Sequence, residues 1–389
     1  MKRYLALILA AAMLMFCITG CTGSGVRTYT DEDTEATDDA SAEATDADAE
    51  ATEEPAKDYT YAYEAYDPDT LVMTINGLPV YWSEFFYWVQ DAVSAIDSYF
   101  GEITDWSAAC DFDETQSYQD YIYNYAVDSL IQYRAMESKA NELGLELTDE
   151  DQEYFDEIWE SNIEYFGSEE ELNAQLDSLF LTRDLYDYLN SISSLYEHGF
   201  DALYGENGEN VSDEETLDYA EENGYLRVKH ILIKNIDDEG LDLDDETIAA
   251  NLETINSLRD QLLACTDNES LEALFDELAE EYSEDTGLAS YPDGYCFTDT
   301  SGMDEDFLTA SQALGNYELS DVVESSFGYH IILRLPVTAD DIPVNDGTNT
   351  LRYICAQEMY AANLDSWIDE AEVVFEPGFE NIDLSTIYG

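Results

Sequence analysis

The chain has 389 residues, with 90 aspartates and glutamates against 13 lysines and arginines, and a formal net charge of −77. That charge excludes binding to nucleic-acid phosphates and electrostatic adhesion to anionic lipid. Hydrophobic residues still make up 45% of it, with 30 tyrosines and 15 phenylalanines, so packed cores are within its means.

Residues 1–21 read as an export signal to be set aside before the fold is considered. Lys2 and Arg3 form a basic start, and residues 4–18 are an apolar run too short to span a membrane comfortably. The run ends Ile18-Thr19-Gly20-Cys21, which looks like a bacterial lipobox with Cys21 as the lipidated residue. Two or more acyl chains there would anchor stably where one binds marginally. Residues 22–66 are mostly Asp, Glu, Thr, Ala and Ser, with scarcely an apolar side chain before Tyr59. Such a segment cannot offset its ordering entropy and reads as a disordered acidic tether, extended by its own charge. About 320 residues remain, enough for two domains.

Leu71-Val72-Met73-Thr74-Ile75 predicts a strand, Asn76-Gly77 a tight turn, and Val80 the start of a return. Ser83 is placed to cap a helix through Phe85, Phe86, Trp88 and Val89. Apolar positions at Ile122, Ala126, Leu130, Tyr133 and Met136 predict a helix over 118–143 that stops at Gly144. Thr148-Asp149-Glu150-Asp151 starts the next helix. Ser168-Glu169-Glu170-Glu171 and Ser212-Asp213-Glu214-Glu215 start others in capping-box form. His198, beside Gly199, reads as a local partner at a helix end. Beyond Cys17 and Cys21, the cysteines at 110, 265, 296 and 355 fit no Cys-x-x-Cys spacing. With three histidines in the chain, no metal centre is expected.

Two later stretches alternate as strands: Leu226-Arg227-Val228-Lys229-His230-Ile231-Leu232-Ile233 and Phe327-Gly328-Tyr329-His330-Ile331-Ile332-Leu333-Arg334-Leu335. Each holds one of the three histidines. Period-two geometry puts His230 on the face of Leu226, Val228 and Leu232. A histidine on an apolar strand face is most often a core residue; two in strands bracketing one small domain make a shared site the alternative. Between them, residues 275–286 read as a helix running into a polar loop. After Leu335, Pro336 and Asp340-Asp341-Ile342-Pro343 mark a linker, followed by a helix over 351–370 and a strand over 371–375.

The segments from Tyr225 to Leu335 occur in a recognisable order. They are Lys229-His230-Ile231-Leu232, then Leu278-Ala279-Glu280-Glu281-Tyr282-Ser283-Glu284-Asp285. Gly302-Met303-Asp304-Glu305-Asp306-Phe307 and Ser320-Asp321-Val322-Val323 through Phe327-Gly328-Tyr329-His330-Ile331-Ile332 follow. In this order they resemble the parvulin family of peptidyl-prolyl cis/trans isomerases over about 110 residues. The Asn76-Gly77 turn with its aromatic helix resembles the N-terminal segment of extracytoplasmic foldases and SurA-like chaperones. In the foldase lipoproteins of Gram-positive bacteria, the sequence on either side of the parvulin module forms one discontinuous domain.

The resemblance implies an α+β protein: a helical, discontinuous chaperone-like domain with an inserted parvulin domain, a small antiparallel sheet with surrounding helices. It implies domain limits of 67–224 and 336–389 for the helical part and 225–335 for the parvulin part. It implies a cofactor-free prolyl isomerase, lipid-anchored outside the cell membrane, that acts on unfolded exported proteins containing proline; a non-catalytic holdase is the alternative. His230 and His330 match the paired family histidines, and Asp285 the acidic or thiol position beside the substrate carbonyl. Met303 and Phe307 match the wall of the proline pocket, one helical turn apart at the entry of a short helix through Ala310 and Leu314. Tyr295 and Phe297 complete the substrate-binding set. Two departures stand out. Tyr291-Pro292-Asp293-Gly294-Tyr295 replaces the usual Gly-Gly-Asp-Leu-Gly turn, and Ser311-Gln312 stands where an aromatic is common.

Overall fold

The computed structural model describes residues 59–389. The stretch read as an export signal, Cys21 and the acidic stretch up to residue 58 lie outside the described residues. Two compact units divide the chain: one reaches to Gly199 and resumes over Asn363–Gly389, and the other is Phe200–Ala362.

The first unit opens with α1 (Thr60–Tyr63), β1 (Leu71–Ile75), β2 (Leu78–Tyr81) and α2 (Trp82–Phe100). The acidic stretch therefore ends earlier than residue 66. Ala62 is fully buried, the Tyr59 hydroxyl donates to Asp97 at 2.7 Å, and Trp82 Nε1 donates to the Tyr63 carbonyl at 2.7 Å. Aromatic side chains from Tyr59 onward supply the apolar surface for this burial.

Ser83 does not cap α2. The strand runs straight into the helix, and the carbonyls of Thr70 and Pro68 accept from the N–H groups of Trp82 and Ser83. A two-stranded ribbon, β3 (Ala109–Cys110) and β4 (Asp113–Ser117), leads into α3 (Tyr118–Leu143). That helix is capped by Ser117 and ends at Gly144, whose φ of 70° suits a residue without Cβ. Arg134 of α3 meets Glu84 of α2 at 2.5 Å with both side chains almost wholly buried, so breaking this pair would leave an uncompensated charge.

Next come α4 (Asp149–Phe166), α5 (Glu169–Ser178) and α6 (Arg183–Tyr204). Thr148 and Asp151 form a full capping box, whereas Ser168 makes only its own half of one. His198 sits inside α6, which continues past Gly199, and its Nε2 lies 3.4 Å from Asp151 of α4. It joins two helices; it does not close one.

The second unit contains α7 (Asp213–Glu222), β5 (Leu226–Lys234), α8 (Asp245–Leu262), α9 (Asn268–Tyr282), β6 (Tyr295–Phe297), α10 (Glu305–Ala313), β7 (Val323–Glu324) and β8 (Gly328–Leu335). The strands form an antiparallel sheet in the order β6-β5-β8-β7. The alternation read from the sequence becomes two faces. Ile231, Ile233, Ile331, Leu333 and Leu335 pack under α8 and α9 with Phe275. Leu226, Val228 and Ile332 face the other way, with Phe297 and Phe307. Gly328 has φ 150°, and a Cβ there would lie 2.2 Å from the Ile233 carbonyl, so only glycine lets β8 start this close to β5.

The chain ends with α11 (Leu351–Asp369), β9 (Val373–Phe375) and α12 (Leu384–Tyr388). β9 pairs antiparallel with β1 through Met73↔Phe375, Thr74↔Val374 and Ile75↔Val373, giving a sheet ordered β2-β1-β9. The architecture is α+β, with small antiparallel sheets among helices.

The second unit is wider than the 225–335 inferred from the sequence because part of its core lies outside those limits. Ala220 and Leu351 are buried against Cys296, and Arg227 pairs with Asp341 at 2.8 Å. A fragment of residues 200–362 is therefore expected to melt in one cooperative transition. Trimming it to 225–335 should cost about 2–4 kcal/mol from lost apolar burial. Thermal melts of both fragments check this, and equal stability would overturn it.

Candidate active site

The site is built on the α10 face of the four-stranded sheet. Register places His230 opposite Ile332 and His330 opposite Leu232, so the histidines are diagonal neighbours on adjacent strands. Their Nδ1 atoms are 3.1 Å apart, and the rings are 8% and 4% exposed. His230 Nε2 lies 3.2 Å from Asp285 Oδ2, and the Tyr295 hydroxyl donates to the same oxygen. His330 Nε2 is 2.7 Å from Ser325 Oγ.

These contacts form one chain of groups with a consistent proton direction. With both rings neutral, the tautomers that fit make the Ser325 hydroxyl the donor to His330 Nε2, His330 Nδ1–H the donor to His230 Nδ1, and His230 Nε2–H the donor to the Asp285 carboxylate. Every imidazole nitrogen is then used. Burial pushes the His330 imidazole down to about 3, with the neighbouring His230 adding to the effect against Asp304 and Asp285. Burial would raise the Asp285 carboxyl. The hydrogen bonds from His230 and Tyr295, the charge interaction with His230 and the Gly287 N–H outweigh it, holding Asp285 well below the usual carboxylate range. Burial and the Asp285 carboxylate together push the Tyr295 phenol far up, so it stays a donor.

Asp285 is positioned by the exit of α9. The Ser283 hydroxyl accepts from Leu232 N at 3.1 Å, and Glu284 N donates to the Leu232 carbonyl at 2.8 Å, pinning the loop to β5. The tyrosine two residues before Phe297 then reaches back over this loop.

Phe307 projects from α10 against both histidines, with ring centroids 5.1 Å from His230 and 5.3 Å from His330. It is 6% exposed, while Met303 is half-buried against the same cluster. The helix starts at Glu305, capped by Asp304, so Met303 precedes it and does not share its first turn. Asp304 also accepts from Ser326, tying the start of α10 to the turn that carries Ser325. Phe297 differs from the expectation. It is fully buried behind Phe307, with centroids 6.0 Å apart, and supports that ring without facing solvent.

The structure thus gathers His230, His330, Asp285, Tyr295, Phe307 and Met303 around one spot, with Phe297 beneath it. Ser325 was missed by the sequence reading. The signal for it is a serine in the turn just before Phe327-Gly328, a position that ordinary loop residues also fill.

Residues 230–335 match the Rotamase family model, described as the PPIC-type PPIase domain. This part of the chain is a PPIC-type PPIase domain. The foldase protein PrsA of Oceanobacillus iheyensis is 28% identical over 194 residues, which are 50% of this chain and 55% of that protein. The match thus spans about half the length of that relative. Among solved structures, PrsA from Bacillus subtilis shows 19% identity and a TM-score of 0.23, covering 68% of this chain and 90% of that one. The Bacillus cereus PrsA peptidylprolyl isomerase shows 18% identity and a TM-score of 0.27, covering 78% and 90%. Those scores are below the level at which a shared overall fold follows. What the PPIase domain itself contains is carried by its own geometry and the family match.

Proposed function

We propose that the protein is a parvulin-type peptidyl-prolyl cis/trans isomerase that assists the folding of exported proteins. A prolyl bond turns in tens to hundreds of seconds because rotation removes amide resonance, a barrier of about 20 kcal/mol. In the twisted state the carbonyl loses partial negative charge and the nitrogen becomes pyramidal. The catalyst needs an apolar seat for the ring and surroundings that disfavour the planar, dipolar amide. Phe307 and Met303 supply the seat, and the Asp285 anion supplies a negative field beside it.

The observation that carries this reading is Phe307 seated on a histidine pair whose four nitrogens are all engaged. An imidazole so occupied is a poor nucleophile or base and serves as a positioning residue. The nearby Cys296 thiol is 1% exposed and is pushed up to about 12 by burial and by Asp341. Both facts favour non-covalent catalysis.

Turnover of proline-containing peptides by the purified protein tests the reading, and a matched series tests its specificity. The stretch from Lys234 at the end of β5 to Glu246 in the first turn of α8 carries that one lysine and seven carboxylates. Each like charge near 8 Å costs about 0.5–1 kcal/mol at intermediate dielectric, less in salt. Lys-Pro and Ala-Pro peptides are expected to turn over faster than Glu-Pro or phosphoserine-Pro, with a gap that narrows as ionic strength rises. A Glu-Pro preference at low salt would contradict this.

A second reading, a holdase for unfolded chains, is favoured by a separate observation. In the first unit Tyr99, Phe100 and Phe112 are 77%, 49% and 42% exposed, and the Phe100 and Phe112 rings meet at 4.9 Å. An exposed aromatic cluster of this kind is a surface for apolar segments. The two readings are compatible in one protein.

The place of work is part of the proposal. Among the described residues no helix is long and apolar enough to cross a membrane. Attachment outside the cell membrane would rest on Cys21, in a segment reading Ile18-Thr19-Gly20-Cys21. Cys21→Ser is expected to shift the protein from the membrane to the soluble exported fraction. Identical fractionation of variant and wild type would remove the lipid anchor from the account.

A further inference from the structure

At the other end of α10 from Phe307 lies a cavity of about 620 Å³, lined by Leu217, Tyr225, Leu226, Gln312, Asn316 and Arg334 among others. Arg334 shares the sheet face of His330 and Ile332. Four residues along an extended strand set it about 13 Å from the histidine pair. Its Nη1 donates to the Ser311 carbonyl at 3.2 Å, which holds the C-terminal end of α10, but its Nε is buried with no acceptor. A buried donor left unmade costs free energy, more so on a charged group.

The wider charge pattern makes this arginine unusual. The described residues include nine lysines and arginines, and seven of them lie within ion-pair distance of a carboxylate. The other two are Lys234 and Arg334. In a chain with 90 acidic residues, Arg334 lines a cavity and has no carboxylate within ion-pair distance. Glu221 lines the same cavity yet makes no ion pair with it. The side-chain amides of Gln312 and Asn316 stand exposed on the rim as further donors.

We infer that this cavity is a second peptide-binding site, which takes a peptide carboxylate on Arg334 and apolar side chains along its walls. One guanidinium fits one carboxylate in paired hydrogen bonds, whereas a polyanion would require several cations. Leu217, Leu226, Pro336 and Val337 give the flanking apolar surface a peptide needs and a free inorganic ion does not. The carboxylate is either a chain end or an acidic side chain, and both present the same group.

Calorimetric titration of the full chain tests this with proline-free probes, which do not report on the prolyl pocket. The probes are acetyl-tetraalanine with a free carboxylate, its amide, and amidated acetyl-Ala-Ala-Glu-Ala. At least one carboxylate peptide is expected to bind ten-fold or more tightly than the neutral amide, and which one does so identifies chain end or side chain. Arg334→Gln should erase the preference. Because Arg334 also holds α10, Gln312→Glu provides a check at an exposed position. It should erase the preference too, while leaving turnover of an amidated Ala-Pro peptide unchanged. Equal binding of all three peptides, inorganic phosphate binding as tightly as the peptides, or a preference that survives Gln312→Glu would overturn the inference.

Discussion

Phe307→Ala is expected to lower kcat/KM for an Ala-Pro peptide by about a hundredfold, the equivalent of about 3 kcal/mol of lost transition-state contact. The ring is the apolar surface nearest both histidines, and alanine removes all of it. From the sequence Phe307 reads as a pocket-wall residue whose loss would harm activity much more than stability. At 6% exposure, packed on Phe297 and Ile332, it belongs to the core as well, so stability should also fall by about 3–5 kcal/mol. The two effects separate with Phe307→Leu. That change keeps an apolar seat, should cost far less stability, and is expected to retain measurable turnover. Peptide kinetics read alongside denaturant midpoints decide the matter. A folded Phe307→Ala protein with wild-type turnover would move the proline pocket elsewhere. The holdase reading adds a contrast: Phe307→Ala should still suppress aggregation of an unfolded client, whereas Phe100→Ser with Phe112→Ser should weaken that and spare turnover.

What was legible in the sequence follows from which interactions are local. The strands around His230 and His330 showed in their alternation, because a face buried under helices demands period two. Helix starts at Thr148 and Ser212 and the stop at Gly144 showed because a cap is decided within a few residues. Ser83 misled because distant carbonyls at Pro68 and Thr70 took over the role of a cap. His198 misled for the same reason, its partner Asp151 lying on another helix. The outer limits of the second unit were hidden because Ala220 and Leu351 join its core from 131 residues apart. Within the site, the histidines and Asp285 came from ordered motifs, but the pairing of Nδ1 with Nδ1 depends on a diagonal register that no linear pattern states. Tyr295 could be placed in the pocket by position alone. That its hydroxyl serves Asp285 emerges only when the loop after α9 and β6 are brought together in the fold.

The histidine chain also makes a pH signature, and His330→Asn is the variant that exposes it. In the unfolded chain His330 titrates near 6.5, whereas in the fold burial and His230 hold it down to about 3. Between those values the unfolded state binds a proton that the folded state refuses, so this residue's contribution is fully present above pH 6.5 and is lost as pH falls. At about 1.4 kcal/mol per pH unit, the loss between pH 7 and pH 5 is about 2 kcal/mol. Asp285 acts in the same direction at lower pH, because its folded-state carboxyl is depressed and its contribution is lost as pH drops through the acid range. The rest of this acidic chain acts in the opposite sense, since protonating its many carboxylates relieves repulsion. Wild-type stability alone therefore does not isolate the effect, and the difference between wild type and variant does. His330→Asn should be less stable at pH 7, where a hydrogen-bonded imidazole is lost from the chain, and the deficit should shrink by about 2 kcal/mol at pH 5. Urea unfolding of both proteins at pH 7, 6 and 5 gives the measurement. A deficit that stays constant across that range would mean that His330 is not held neutral by the fold, and the one-way proton chain from Ser325 to Asp285 would have to be redrawn.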